Sequence, residues 1–244
     1  MIHYHGGPIT PLTVANYAWT RRHAFVSFWY PDQIAFAAEI CQSFALDNGA
    51  FSAWMQGVKP DREGYRDWVA EWGAHPGCDF AIIPDVIDGA ESDNDALIEW
   101  WHAKRNPCLG VPVWHLHESL DRFRSLCREH ARVAIGSSGE WPDPNTPKWW
   151  RRINAAFAHI CDERGRPPCR LHGLRMLNPT VFSQLPLASA DSTNLAQNHW
   201  RERHTYCLSE QAGAIKMIDR IEEHASAPYW TATAGTEMNL VLVG

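Results

Sequence analysis

The chain has 244 residues, of which 45% are hydrophobic and 20% charged, with a formal net charge of −6. That length suits one domain of barrel or large-sandwich size, and that composition excludes wholesale disorder. No uncharged apolar run reaches 18 residues, so no transmembrane helix and no membrane partner are predicted.

The N-terminal segment Met1-Ile2-His3-Tyr4-His5-Gly6 lacks a basic region and an apolar region, so no secretory signal is expected. Seven cysteines without a Cys-x-x-Cys pair point to reduced thiols and a cytoplasmic location rather than a disulfide framework. Along the chain, strands are predicted at Ile2–His5, Ala24–Trp29, Ser43–Leu46, Phe80–Ile83, Val111–Leu116, Val133–Ile135, Leu171–Met176 and Leu187–Ala190. These runs are short, and they are rich in Val, Ile and Phe or bounded by turn residues, as buried parallel strands are.

Helices are predicted between them. Thr10 is placed to cap the first, with Pro11 opening it. The others are Pro31–Ser43, Lys59–Ala74, Ser92–Ala103, Glu118–His130, Thr146–Glu163, Pro179–Leu185 and Ser209–Ala225. In Lys59–Ala74, Tyr65, Trp68, Val69 and Trp72 recur at helical spacing. Eightfold strand–helix alternation predicts an α/β fold, a single (β/α)8 TIM barrel over residues 1–244 with no separate zinc subdomain. An open doubly wound sheet is the alternative; no G-x-G-x-x-G or Walker A sequence supports its nucleotide-binding versions. Trp141–Pro147 reads as a loop on the active face, and Gly165-Arg166-Pro167-Pro168 as a turn on the opposite face.

Barrel chemistry gathers at the C-terminal strand ends. The third predicted strand ends in Asp47-Asn48-Gly49-Ala50-Phe51, the fourth in Pro84-Asp85-Val86-Ile87-Asp88-Gly89, and the eighth in Asp191-Ser192-Thr193-Asn194. The fifth carries His115-Leu116-His117-Glu118, and the sixth ends in Gly136-Ser137-Ser138-Gly139-Glu140. Asp, Ser and Gly also cap helices and make turns, which accounts for any one of them alone. Several carboxylates on one rim, with no evident Ser or Cys nucleophile, suit glycosyl chemistry, in which one attacks an anomeric carbon and another moves a proton. The amides around Gly136 and Ser137 can hold a ring carbonyl. The 13 tryptophans and 13 histidines agree with a site for flat or polar rings, although Trp is more often core.

Charge is uneven. Pro31–Glu99 carries 14 acidic residues against three basic, whereas Lys148–Arg175 carries seven basic against two acidic. The basic stretch, with Lys148, Arg151 and Arg152, is a candidate for phosphate contacts; an ordinary solvated helix face explains it equally.

Leu46-Asp47-Asn48-Gly49-Ala50-Phe51 resembles the Asp-Ser-Gly-Gly-Phe motif of the tRNA-guanine transglycosylase superfamily. Ile135–Glu140 is similar to its Gly-Gly-Leu-x-x-Gly-Glu segment, and Ser189–Thr193 to its late aspartate motif. The likeness spans about residues 43 to 200 and lies nearest the short bacterial and phage enzymes that exchange guanine for a 7-deazaguanine in DNA. It implies Asp191 as nucleophile and Asp47 as acid/base. It implies base recognition by Asp85 or Asp88, with Asp85 nearer the strand end, and by His115, where the family has glutamine. It also implies a backbone contact from Gly136 and an apolar ring contact from Met176. The implied partners are a nucleic acid, DNA before tRNA, and a 7-deazaguanine base; no metal and no cofactor are expected. Departures are Gly49-Ala50 in place of Gly-Gly and the missing Cys-x-Cys-x-x-Cys zinc motif, for which Cys161, Cys169 and His172 are a poor substitute.

Two other functions fit. His3-x-His5, His115-x-His117, His172 and Asp191 suggest a metal-dependent hydrolase of the amidohydrolase type, without its strand-four lysine. A non-catalytic base- or nucleic-acid-binding barrel is the other, and Asp47 together with Asp191 argues against it.

Overall fold

In the computed structural model, which describes residues 1–206 and 209–235, all eight predicted strand regions form strands. In chain order these are β1 (Ile2–Gly6), β2 (His23–Ser27), β3 (Ser43–Asp47), β4 (Cys78–Ile82), β5 (Leu109–Val111), β6 (Val113–His115), β7 (Arg132–Gly136), β8 (Arg170–Gly173) and β9 (Ser189–Ser192). Every pairing is parallel, in the order β5-β4-β3-β2-β1-β9-β8-β7-β6. Only Pro112 separates β5 from β6. It has no N–H, so the ladder breaks there. Its two flanks still serve opposite neighbours: the Val111 carbonyl accepts from Ile83 N, and the Pro112 carbonyl from Ala134 N, both at 2.9 Å. The ring therefore closes through one interrupted strand, and the fold is a TIM-barrel-like (β/α)8 arrangement.

The helices are α1 (Leu12–Trp19), α2 (Ile34–Ile40), α3 (Ala50–Met55), α4 (Arg62–Trp72), α5 (Glu91–His102), α6 (Leu120–Glu129), α7 (Pro147–Ile160), α8 (Pro179–Phe182), α9 (Asn194–Tyr206) and α10 (Glu210–Glu222). Asp61, Ser119 and Thr146 accept from Gly64 N, Arg122 N and Trp149 N and so cap α4, α6 and α7. The expected Thr10 cap is displaced by one residue: Pro11 takes the capping position and α1 opens at Leu12. Helices α3 and α9 are additions to the predicted set.

Strand alternation divides the apolar side chains. Tyr4, Phe25, Ala45, Phe80, Ile82, Val111, Val113 and Ala134 pack inside the ring. Trp19, Val26, Phe44, Leu46 and Tyr65 on one side, and Trp114, Ile135, Trp149 and Phe157 on the other, pack between sheet and helices. Each such large side chain contributes about 1.5–3 kcal/mol when fully buried. At the N-terminal end of the barrel, Tyr4 Oη and Arg132 Nη1 both donate to Asp79 Oδ2, at 2.6 and 2.8 Å. That bonded cluster closes the floor and leaves the opposite rim open.

Among the described residues, no helix is long and apolar enough to cross a membrane.

Candidate active site at the C-terminal rim

Inward positions at the upper ends of the strands are Ser27 on β2, Asp47 on β3, His115 on β6, Gly136 on β7 and Asp191 on β9. All five line one cavity of about 630 Å³, together with Asp85 and Ser137 from the loops after β4 and β7. This is the usual volume range of a small-molecule site. Phe25, Phe51, Ile82 and Leu174 supply apolar walls, and Tyr30 and Arg175 stand at its edge.

Asp47 leaves β3 just before Gly49, whose φ of 73° turns the chain sharply into α3. A side chain there would be strained in that conformation, and its Cβ would also lie 3.0 Å from Trp29 Cβ. Ala50 has helical backbone and opens α3. The Asp47 carboxyl accepts from Gly49 N at 3.2 Å and from the Ser27 hydroxyl. Enclosure by the barrel pushes its pKa up to about 7, aided by the charges of Asp191 and Asp85 and opposed by those two hydrogen bonds. A carboxyl in that range can give and take a proton near neutrality.

Asp191 is buried, 5% exposed, and its surroundings differ. Its Oδ1 accepts from Arg175 N at 3.1 Å and from His172 Nε2 at 3.2 Å. Arg175 holds φ near 60°, an uncommon value for a side-chain-bearing residue, and that turn aims its N–H at the carboxylate. Its guanidinium lies 4.5 Å over the Phe51 ring, so the loop after β8 meets α3 across the mouth.

Asp85 is held from two sides. Asn48 Nδ2 donates to its Oδ1 at 2.7 Å, and His115 Nε2 meets its Oδ2 at 2.8 Å. His115 Nδ1 is buried without a partner among the described residues. It faces Gly136, where a Cβ would lie 2.9 Å away. Behind this pair, Glu118 accepts from His115 N, Asn94 Nδ2 and Arg122 Nη1, all at 2.8–2.9 Å. Asn94 also bonds both the N–H and the carbonyl of Val86. The loop that carries Asp85 is thus fixed to the strand that carries His115.

Several expected residues lie elsewhere. Asp88 is exposed and outside the cavity; Ile87 lines it instead. Met176 is fully buried in the core outside the ring. The strand predicted to Met176 ends at Gly173, and Leu174 takes the inward position. The basic stretch is not one surface. Arg164 and Arg166 sit in the turn before β8 and Arg175 after it, so they mark opposite ends of the barrel; Lys148 and Arg151 open α7, a helix about 21 Å long. Lys148 pairs with Glu140 at 2.6 Å. Arg152 donates to the carbonyls of Leu116 and Glu118 and packs over Trp141 and Trp114, so it is committed to the fold rather than free for phosphate. Arg151 alone of the three is exposed at the surface without such ties among the described residues.

The hydrolase ligand set is not assembled. Tyr4 occupies the inner face of β1, so His3 and His5 point outward, towards Phe182 and Glu222 respectively. His117 is occupied by Ser138 Oγ and the Gly89 carbonyl. Cys169 meets Cys127, while His172 turns into the barrel. Among the described residues, no group of three or more His, Cys, Asp or Glu is placed to hold a metal ion.

Asn48, Ser27, Phe51 and Leu174 line the cavity without a role read from the sequence, and Arg175, the last residue of the basic stretch, lines it too. Asn48 and Phe51 fall inside the quoted motif, which was the available signal.

No protein-family model, curated protein or solved structure matches this chain.

Proposed function

We propose that the chain is a base-exchange transglycosylase acting on guanine in a nucleic acid. One observation carries this reading: two carboxylates share one cavity in contrasting environments, Asp191 fixed by hydrogen-bond donors and Asp47 raised to a pKa of about 7. Such a division of environments is how one site runs nucleophilic and acid/base chemistry together.

In the proposed first half-reaction, an Asp191 oxygen attacks C1′ of the nucleotide. The C1′–N bond breaks, its electron pair goes to the base nitrogen, and the Asp47 carboxyl protonates that nitrogen. In the second half, the incoming 7-deazaguanine loses its N–H proton to the Asp47 carboxylate and attacks C1′. The C1′–O bond then returns its pair to Asp191. No net proton and no electron is consumed. Asp85 and His115 would read the edge of the base, the Gly136 and Ser137 backbone would hold its carbonyl, and Phe51 and Leu174 would cover its faces.

The test is exchange of labelled guanine on duplex DNA, single-stranded DNA and tRNA, with duplex DNA the first expected substrate. Asp191→Asn should abolish exchange and any covalent adduct without unfolding the chain. Full activity in that variant would end the reading.

A further inference from the structure

His172 sits on β8 inside the barrel, fully buried directly beneath the cavity. Tyr4, Phe25 and Phe80 surround its ring at centroid distances of 5.9, 5.4 and 5.2 Å. A polar ring in that layer is costly unless its nitrogens are satisfied, and a leucine would fill the same space without that cost. Both nitrogens are satisfied, and by β9 alone: Nδ1 with Ser189 Oγ at 2.8 Å, and Nε2 with Asp191 Oδ1 at 3.2 Å. An ionised carboxylate only accepts, so Nε2 carries the hydrogen. The carboxylate thereby fixes the tautomer; in the neutral ring Nδ1 then accepts from the Ser189 hydroxyl, which holds the ring in its plane.

The consequence falls on the two oxygens of Asp191. Oδ1 receives both donors, from Arg175 N and His172 Nε2, which together set the plane of the carboxylate. Among the described residues, no hydrogen bond is made to Oδ2. Two donors hold one oxygen and leave the lone pairs of the other unengaged among the described residues, on a residue that lines the cavity.

We infer that His172 is a positioning residue that, with Ser189 behind it, locks Asp191 so that Oδ2 is the atom that attacks C1′. This rests on the transglycosylase reading and extends it to a residue below the cavity floor. Oδ2 forms the bond to C1′ as the glycosidic bond breaks, the electron pair leaves with the base, and Asp47 supplies the proton. His172 exchanges no proton in this step. Its work is geometric, and a displacement of about 1 Å at a reacting atom costs about 10²-fold in rate.

The experiment compares the wild-type chain with His172→Leu and His172→Gln. Adduct formation on a labelled guanine-containing oligonucleotide is followed under single-turnover conditions, and affinity for free guanine is measured by calorimetry. Glutamine places an N–H close to the position of Nε2, whereas leucine has none. The leucine variant should form adduct about 10²-fold more slowly with unchanged guanine affinity, and the glutamine variant should recover most of the lost rate. A merely structural role would lower guanine affinity and thermal stability together and would not distinguish the two replacements by their donor; that pattern, or wild-type adduct rates in the folded leucine variant, overturns the inference. Absence of adduct in the wild-type chain overturns the transglycosylase reading itself, so the two failures are distinct. If the leucine variant does not fold, Ser189→Ala decides. It keeps the ring and removes the hydroxyl that holds its orientation from behind, so adduct formation should fall about fivefold to tenfold; an unchanged rate overturns the inference.

Discussion

The Asn48 side chain donates to Asp85 Oδ1 at 2.7 Å and to the Ile83 carbonyl at 3.0 Å, and its own oxygen accepts from Ala50 N at 2.7 Å. One buried amide thereby joins the end of β3 to the loop after β4 and sets the start of α3. Asn48→Ala removes all three bonds and leaves buried groups without partners. It should destabilise the chain by about 1–3 kcal/mol in urea unfolding and weaken guanine binding. Unchanged stability and affinity would mean that Asp85 is held by His115 alone.

The raised pKa of Asp47 fixes a pH dependence. Its folded value of about 7 exceeds the ordinary value of 3.8, so the folded chain holds this proton where the unfolded chain has lost it. The associated stability is fully present below about pH 4 and is lost as pH rises through about 7. Asp47→Asn should remove that decline from a melting-temperature profile between pH 4 and 8. In the proposed exchange, base expulsion needs the acid and base capture needs the carboxylate, so the rate should peak near pH 7. Asp47→Asn should slow it by about 10²–10⁴. An unaltered pH profile in the variant would remove Asp47 from proton transfer.

The barrel was legible because its strands are short apolar runs punctuated by turn residues. The eight runs stand in the ring in chain order, and only Pro112 divides one of them. Two helices were not legible. Helix α3 exposes Phe51, Trp54 and Met55 instead of burying one clean stripe, and α9 begins Asn194-Leu195-Ala196-Gln197-Asn198-His199, with few apolar positions. Asp47, Asp85, His115 and Asp191 line one cavity, and the sequence could place them on one rim because strand ends can be read in one dimension. Period-two alternation placed His3 and His5 on one face, but only the packing of Tyr4 inside the ring shows that it is the outer face. The pairing of His172 with Ser189 and Asp191 depends on the register of β8 against β9, which no local pattern encodes.

Arg151 and Arg152 are neighbours on α7 with opposite expectations. Arg152→Ala breaks bonds to two carbonyls and should cost about 2–3 kcal/mol. Arg151→Ala should change stability by no more than about 0.5 kcal/mol. If Arg151 meets a phosphate, its loss should weaken binding on every sequence alike and reduce the salt slope by about 1. Filter binding to duplex DNA from 50 to 200 mM salt, beside urea unfolding, measures both. An unchanged slope would return Arg151 to a solvated helix face.

Gly136 is where the cavity has least room for change. A Cβ there would lie 2.9 Å from His115 Nδ1 and 3.1 Å from both His115 Cε1 and Val113 Cγ1. Val113 is inside the barrel and His115 is tied to Asp85, so neither yields easily. Gly136→Ala should therefore cost about 1–3 kcal/mol through overpacking. The methyl group would also cover the unpartnered Nδ1 and fill the wall against which the base is proposed to lie. Guanine affinity should fall by about tenfold or more, equivalent to about 1.4 kcal/mol. His115→Ala introduced together with Gly136→Ala makes room for the methyl group, so the stability loss should partly reverse while the affinity does not recover. Calorimetry with guanine and urea unfolding on the two variants separate these effects. Wild-type affinity in the folded Gly136→Ala protein would show that the base does not reach this wall, and its binding site would then have to lie nearer Phe51 and Arg175 at the mouth.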